Sequence, residues 1–297
     1  MTKPYRHAII LGTLLFALFV VGCGKGDTDR AFRDGTEAFH QERWQDAVGF
    51  FSLVEEKAPG QVSVLMLRGI SFLKLGLYTA AKADFSRILD LQPENTEARK
   101  GRGEANLGLG RYAEAAGDFA RALTVEPDDI HTLNNRGFAL SNLGDFEAAL
   151  ADFDTALQKA PDNPLIYYNR SAVYRKLNRT NEARKDLDHC VELDGNNAVF
   201  LAARGKVLIE LGDWDAAMAD FNEATVKDPH YFGGFKFRAG CLKSRGQWQE
   251  AYDDYTRAVE LEPNDPELRF ERAAVCAQLG LEEEYNRDMA KYDELTR

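Results

Sequence analysis

Apolar and small residues recur along the chain with a period of 34 residues from residue 28 onward. A proline marks the same place in most copies, and Gly195 takes that place in one copy. The marking prolines are Pro59, Pro93, Pro127, Pro161, Pro229 and Pro263. A fixed period of this length indicates a stacked repeat array, so the pattern predicts eight repeats. Their bounds are 28–61, 62–95, 96–129, 130–163, 164–197, 198–231, 232–265 and 266–297.

Three positions in each repeat carry the predicted packing. Small residues at positions eight and twenty would let two helices approach closely, with a large residue at position twenty-four filling the space beside them. Position eight holds Gly35, Gly69, Gly103, Gly137, Ser171, Gly205, Ala239 and Ala273. Position twenty-four holds Phe51, Phe85, Phe119, Phe153, Leu187, Phe221, Tyr255 and Met289. Position twenty is alanine in the first seven repeats.

Position fifteen predicts where the two helices of a repeat are joined. It is Gly or Asn in repeats two to eight, as a left-handed residue after a helix requires. Asn163-Pro164 and Asp265-Pro266 are typical of a helix start, with a capping side chain followed by proline in the first turn. Each repeat is therefore predicted to be helix, tight turn, helix, turn.

An arginine at position seven and an aspartate at position twenty-three accompany each other in repeats two to eight, and repeat one lacks both. The two positions lie equally far from the turn, so they are level in an antiparallel hairpin. The next repeat's arginine is also level with each aspartate, but joint presence and joint absence favour pairing within a repeat.

We interpret these residues as structural ion pairs rather than catalytic groups. Each member lies three or four residues from the core positions, so we expect the pairs to be partly shielded from water. The predicted pairs are Arg68 with Asp84, Arg102 with Asp118, Arg136 with Asp152, Arg170 with Asp186, Arg204 with Asp220, Arg238 with Asp254, and Arg272 with Asp288.

Residues 28–297 resemble tetratricopeptide repeats in period, small positions, turn glycines and closing prolines. The resemblance implies an all-α fold, a right-handed solenoid of antiparallel helix pairs whose first helices line a concave groove. Seven repeats have the full 34 residues, and repeat eight (266–297) departs at Glu282, Tyr285 and Tyr292. We interpret repeat eight as a degenerate, solvating C-terminal cap.

The N-terminus carries a different pattern. Lys3 and Arg6 precede an apolar run from Ala8 to Val21, which ends before Gly22 and Cys23. The run is shorter than the ~20 residues of a membrane-spanning helix but suits a secretory signal. Its end resembles the lipobox of bacterial lipoproteins, which implies cleavage after residue 22, a lipidated Cys23 carrying palmitate, and a linker over 23–27. An uncleaved anchor or a plain signal peptide are the alternatives.

The resemblance to lipoproteins also implies a location. The expected place is the bacterial cell envelope, with a lipid anchor in the membrane. Gly24 stands where an Asp would indicate retention at the inner membrane, so the periplasmic face of the outer membrane is favoured if the source is Gram-negative.

Charge and candidate chemistry exclude several function classes. A formal net charge of −11 argues against nucleic-acid binding, which needs a basic surface. The histidines and the four cysteines show no metal-ligand spacing, and no nucleophile stands near a base in sequence. We therefore expect no enzyme activity, no catalytic residue, no metal or cofactor, and no small-molecule substrate.

The resemblance places positions two, five, nine and twelve of the first helices on the groove. The candidate partner-binding residues combine aromatic and basic side chains: Asn134, Phe138, Tyr168, Arg175, Lys206, Lys236, Phe237 and Lys243. Aromatic anchors beside bases suit an extended peptide with acidic residues. The alternative is a solvated face whose lysines only maintain solubility.

These observations predict a lipid-anchored scaffold that binds a partner protein or extended peptide. Envelope assembly, secretion or pilus assembly, and enzyme recruitment are processes in which such a scaffold would serve. The alternative function is a structural solenoid that self-associates through its end helices.

Overall fold

The computed structural model describes residues 25–297, so the predicted signal segment 1–22 and Cys23 lie outside the described residues. The chain divides after Ala156 into two compact units. We call residues 25–156 the N-terminal unit and residues 157–297 the C-terminal unit. Between residues 25 and 297 every regular element is helical, with two helices in each predicted repeat.

The helices of repeats one to four are α1 (Lys25–His40), α2 (Trp44–Lys57), α3 (Val62–Lys74), α4 (Tyr78–Leu91), α5 (Thr96–Gly108), α6 (Tyr112–Leu123), α7 (Ile130–Leu143) and α8 (Phe146–Lys159). Those of repeats five to eight are α9 (Pro164–Lys176), α10 (Thr180–Leu193), α11 (Ala198–Glu210), α12 (Trp214–Lys227), α13 (Phe232–Ser244), α14 (Trp248–Leu261), α15 (Pro266–Leu279) and α16 (Glu282–Thr296). Helix α1 thus begins within the segment 23–27 that the sequence analysis assigns to a linker.

Helices pack in the order of the chain. In the N-terminal unit α2 contacts α3, α4 contacts α5, and α6 contacts α7, while the first helices of neighbouring repeats also touch. The C-terminal unit repeats this arrangement, with α11 against α13. The predicted fold class, an all-α repeat solenoid built from helix pairs, is confirmed.

The tight turn inside each repeat follows from one residue with positive φ. At position fifteen, φ lies between 56° and 86° in repeats two to eight, a region that costs residues with a β-carbon roughly 1–2 kcal/mol. Glycine occupies it everywhere except at Asn178, and asparagine tolerates this region best among other residues. In repeat one the same conformation falls on Glu42, with φ of 59°.

Caps fix where the first helices begin. Asn163 and Asp265 accept hydrogen bonds from backbone N–H groups in the first turns of α9 and α15. Asn95, Asp129 and Asn197 do the same for α5, α7 and α11. Each cap satisfies N–H groups that have no partner inside the helix.

The core consists of large rings at position twenty-four against small residues. The fully buried Phe85 lies against Gly69 of its own repeat and Gly101 of the next. A β-carbon at Gly101 would stand 2.5 Å from this ring. Burial of a phenylalanine contributes about 1.5–3 kcal/mol to folding. Because the Phe85 ring contacts two repeats, its contribution depends on stacking.

Helix α16 closes the C-terminal unit with a mostly polar surface. Its buried residue is Asp288, whereas Tyr285 is exposed. The helix packs against α15, and the Tyr292 ring lies 5.5 Å from that of Phe270.

Candidate functional site

The arginines at position seven all bind the aspartate of their own repeat rather than that of the preceding one. In each pair Nη2 and Nε donate to the two carboxylate oxygens, with Nη2–Oδ1 distances of 2.5–2.7 Å. The pairs are Arg68 with Asp84, Arg102 with Asp118, Arg136 with Asp152, Arg170 with Asp186, Arg204 with Asp220, Arg238 with Asp254, and Arg272 with Asp288.

The aspartates of these pairs lie deeper than the partial shielding that the sequence analysis expects. Their side chains are at most 10% exposed. The buried aspartates are Asp84, Asp118, Asp152, Asp186, Asp220, Asp254 and Asp288. The stacked helices cover the carboxylate, whereas most of the longer arginine side chains reach the surface of the hairpin. Two parallel hydrogen bonds to a buried carboxylate make a strong, oriented contact, so these charges are used for structure and are not available to a partner.

Several of these arginines also bind the preceding repeat, which the sequence analysis misses. Their free Nη1 donates to the residue at position twenty-five of that repeat: Arg68 to Ser52, Arg204 to Asp188, Arg238 to Asn222 and Arg272 to Thr256. The N–O distances are 3.1–3.4 Å. The signal was present in the sequence, since these polar residues precede their arginine by the same 16 positions that separate it from its aspartate.

The first helices of the N-terminal unit line a groove of about 460 Å³. Its wall from α3 and the start of α4 includes Met66, Ile70, Leu73 and Tyr78, all half-buried. Most of the lining residues of α3, α5 and α7 occupy repeat positions two, five, nine, twelve and thirteen. None of the lining residues is among the predicted partner-binding residues.

Lys100 of α5 holds three carboxylates at the edge of this groove. Its Nζ lies 2.6 Å from both Glu126 and Asp129 and 3.1 Å from Glu97. Burial opposes the charge, but these hydrogen bonds prevail and raise the pKa of Lys100 above its ordinary value. Lys100 is therefore a structural cation, fully engaged by its own chain.

Glu104, one turn further along α5, has a different environment. Burial raises the pKa of its carboxyl, while the nearby His131 opposes the rise. The His131 ring, which is charged only when it is protonated, places its Nδ1 at 3.6 Å from the carboxylate. The groove thus contains one carboxylate that is partly desolvated and lacks a permanent cation.

The predicted groove residues of the N-terminal unit, Asn134 and Phe138, both lie on α7. Neither is part of the groove lining. Phe138 is exposed, with its ring 6.4 Å from that of Tyr112, and Asn134 is half-buried.

In the C-terminal unit three predicted basic residues are paired with carboxylates of a neighbouring repeat. Arg175 pairs with Glu210. Lys236 pairs with Glu267 at 2.6 Å, and Lys243 with Glu271. These carboxylates stand on the first helices of the following repeats and neutralise much of the expected positive charge.

Lys206 is the exception among the predicted bases. No carboxylate of the described residues lies within 4.0 Å of its Nζ, which instead sits 4.6 Å from the centre of the Phe237 ring. Burial and the neighbouring cations Arg175 and Lys236 lower the pKa of Lys206. Phe237 itself packs against the core, with its ring 5.9 Å from that of Phe221. Its ring therefore lies between the core and the Lys206 side chain.

Tyr168 extends the same surface at α9. It is half-buried, and its ring lies 5.6 Å from that of Phe200. Burial raises the pKa of its hydroxyl, which therefore stays a neutral hydrogen-bond donor. The surface around Lys206 combines a poorly compensated cation with aromatic side chains, which is a chemistry suited to an anionic peptide side chain.

The described residues contain no grouping of three His, Cys, Asp or Glu side chains that could hold a metal ion. Cys190, Cys241 and Cys276 are buried free thiols. Burial raises the pKa of all three, which leaves them protonated and unreactive at neutral pH. In residues 25–297 no helix is both long enough and apolar enough to cross a membrane.

Paired helices stacked at a 34-residue period, with side chains of the first helices on a common face, define an all-α solenoid of the repeat type. Models of the tetratricopeptide repeat match residues 66–129, 120–168 and 153–185, and a TPR repeat model matches 242–280. The chain contains tetratricopeptide repeats. A comparison with curated protein sequences found no match.

Solved structures support the same fold. A tetratricopeptide repeat protein from Parabacteroides merdae superposes with a TM-score of 0.71 at 15% identity, over 84% of this chain and 98% of that one. A chain of the APC/C hetero-tetramer Cut9–Hcn1 gives a TM-score of 0.64 at 16% identity, over 90% of this chain and 53% of that one. MamA MSR-1 gives a TM-score of 0.51 at 21% identity, over 57% of this chain and 97% of that one. Proteins of this repeat class are generally non-enzymatic scaffolds, and the fold is consistent with protein–protein interaction.

Proposed function

We propose that this protein is a lipid-anchored scaffold of the bacterial cell envelope that binds an acidic segment of a partner protein on the first helices of its C-terminal unit. The observation that carries the binding site is Lys206. It is a half-buried cation that lies over an aromatic ring and has no carboxylate partner within the described residues. An acidic side chain of a partner would supply the missing counter-charge, because the nearby carboxylates of Glu210 and Glu267 are held by Arg175 and Lys236.

Partner binding is tested by charge reversal at Lys206. Lys206→Glu and the double variant with Lys236→Glu should stay folded and lose recovery of the partner in a crosslinking pull-down from native membranes. Because complementary charge speeds encounter, binding by the unaltered protein should also weaken with added salt. The single variant is informative because it breaks no internal ion pair.

Lys185→Glu is the matched control, because this lysine is exposed on α10 of the same unit. It should bind as the unaltered protein does. If Lys206→Glu is folded and recovers the same partner with unchanged affinity and salt dependence, the proposed surface is not the binding site.

The anchor is supported by the order of Lys3, Arg6, apolar run and Cys23. Metabolic labelling with palmitate should mark the protein, and Cys23→Ala should abolish both the label and sedimentation with membranes. Cys190→Ala serves as the control, since that thiol is buried and protonated. Undiminished labelling of Cys23→Ala would show that another residue carries the anchor.

A further inference from the structure

Glu104 places a negative charge in the groove of the N-terminal unit that no nearby group fully compensates. Its side chain is 36% exposed and lines the groove together with Lys100 and His131. Lys100 stands four residues earlier on α5, a spacing at which helical ion pairs form. However, its Nζ is taken by Glu97, Glu126 and Asp129 instead.

His131 of α7 does not supply the counter-charge that Glu104 lacks. Its Nδ1 lies 3.6 Å from the Glu104 carboxylate and 3.4 Å from the Asn135 amide nitrogen. When the ring is neutral and accepts a hydrogen bond from Asn135, the same nitrogen has no proton for Glu104. In that tautomer of His131 the carboxylate has no committed hydrogen-bond donor among the described residues.

The other charges around Glu104 oppose one another. His131 and Lys74 of α3 lower the pKa of Glu104, whereas Glu97 and Asp129, both held by Lys100, raise it. Lys74 is exposed and makes no ion pair within 4.0 Å of a carboxylate among the described residues. It reduces the local negative potential without supplying the missing hydrogen bonds.

The wall beside Glu104 is apolar. Met66, Ile70 and Leu73 of α3 are half-buried along one side, and Leu107 follows Glu104 on α5. The Tyr78 ring lies against Gly108, where a β-carbon would be 2.4 Å from it. The absence of a side chain there keeps the ring at the end of the groove.

We propose that this groove binds an extended peptide by placing a Lys or Arg side chain against the Glu104 carboxylate and a neighbouring apolar side chain against Met66, Ile70 and Leu73. A cation would give the half-buried carboxylate hydrogen bonds that no described residue supplies, and charge-assisted hydrogen bonds are strong where water is partly excluded. This inference rests on the proposed interaction function but concerns a second site, of opposite charge, within the N-terminal unit alone.

The probe is a fluorescent peptide, acetyl-Ala-Leu-Lys-Leu-Ala-amide, titrated against the full-length protein in detergent micelles. Two matched peptides carry norleucine or glutamate in place of lysine, which separates charge from apolar contact. We expect the lysine peptide to bind at least tenfold more tightly than either. Glu104→Gln keeps the shape of the side chain and should abolish that difference.

Glu114→Gln is the matched control variant, because this glutamate is exposed on α6 of the same unit and lies away from the groove. It should retain the preference for lysine. Equal binding of the three peptides, or the same lysine preference in Glu104→Gln, overturns the assignment of Glu104.

The two proposed sites fail separately. Suppose that Lys206→Glu loses the native partner, that Glu104→Gln keeps it, and that the protein does not prefer the lysine peptide over the two matched peptides. The proposed function then stands, and the Glu104 site is rejected. A lysine preference that depends on Glu104 supports this site even if Lys206→Glu leaves partner recovery unchanged.

Discussion

At the scale of single residues, the paired arginines make the most direct prediction for stability. Arg136→Ala leaves the Asp152 carboxylate, 7% exposed, without its two hydrogen bonds. Loss of the partner of a shielded charge costs about 1–3 kcal/mol. We expect the urea unfolding midpoint to fall accordingly, whereas peptide binding should change little.

Arg121→Ala is the control for this experiment, because Arg121 is exposed on α6 and makes no ion pair within 4.0 Å among the described residues. Its urea unfolding midpoint should stay close to that of the unaltered protein, as is usual for substitutions on the surface. A midpoint of Arg136→Ala equal to that of Arg121→Ala would mean that the pair contributes nothing to stability.

Glu104 should make stability depend on pH in a defined direction. Burial raises the pKa of this carboxyl in the folded state, so the fold holds its proton at pH values where the unfolded chain releases it. Stability is thus fully present below the ordinary glutamate pKa and falls as pH rises from there through the raised value. Glu104→Gln has no proton to lose and should escape this fall.

The measurement is the difference in unfolding midpoint between Glu104→Gln and the unaltered protein at several pH values. The variant should gain stability relative to the unaltered protein as pH rises from acid to neutral. A difference that does not vary with pH would show that Glu104 ionises as freely in the fold as in the unfolded chain.

The sequence predicts pairing better than it predicts exceptions to pairing. Arg136 and Asp152 could be matched because their spacing recurs in seven repeats and a hairpin places them level. Glu104 could not be recognised, because Lys100 stands at an ordinary pairing distance along the helix and only the fold brings Asp129 and Glu126 to it. The partners of a long flexible side chain depend on the neighbouring repeat.

At the scale of helices, two glycines of repeat three should respond oppositely to the same substitution. A β-carbon at Gly103 of α5 would lie 2.6 Å from the buried Phe119 ring, whereas at Gly117 of α6 it would meet open space. Gly103→Ala should destabilise the protein, because overpacking costs about 1–3 kcal/mol and outweighs the gain in helix propensity.

Gly117→Ala should stabilise by up to about 1 kcal/mol, since alanine is the better helix former and nothing obstructs it. Thermal unfolding of both variants beside the unaltered protein tests the pair. Equal stabilisation by the two alanines would mean that Phe119 and Gly103 are not in close contact.

The positions of the helices were accessible from the sequence because turn, cap and packing residues all repeat together. Asn178 illustrates this, since it takes the left-handed conformation that the period assigns to the glycines. Glu42 shows where the pattern ends, because repeat one makes the same turn without a residue suited to it. There the backbone follows the packing of α1 against α2 rather than local preference.

At the scale of the whole molecule, α16 should keep the C-terminal unit from associating with other copies. A chain ending at Gly280 lacks Asp288, so Arg269 and Arg272 lose their carboxylate partner and α15 loses its cover. Solenoids without a polar end repeat expose apolar surface. We expect a lower unfolding temperature and a larger mass by light scattering.

A chain ending at Tyr292 is the control, because it retains Asp288 and the contact between Tyr292 and Phe270. It should stay closer to the unaltered protein in both measurements. If the chain ending at Gly280 is monomeric and melts at the same temperature, α16 has no capping role and self-association has another cause.

The charge balance of the proposed binding surface depends on residues of neighbouring repeats. Lys236 and Lys243 were recognisable as bases on first helices, but Glu267 and Glu271 neutralise them from α15. Lys206 differs because the carboxylates nearest to it, Glu210 and Glu267, are held by Arg175 and Lys236. Which cation remains available to a partner was decided by packing between repeats.

Because each arginine of repeats two to eight finds its aspartate within the same 34 residues, the buried arginine–aspartate pair of each repeat is complete within that repeat. Duplication or loss of a whole repeat would leave each of these aspartates with its own arginine, whereas an insertion of any other length between the two would separate them. Tandem gene duplication could therefore lengthen or shorten such a protein in whole steps, and the polar residues at position twenty-five would accept whichever arginine came to follow them.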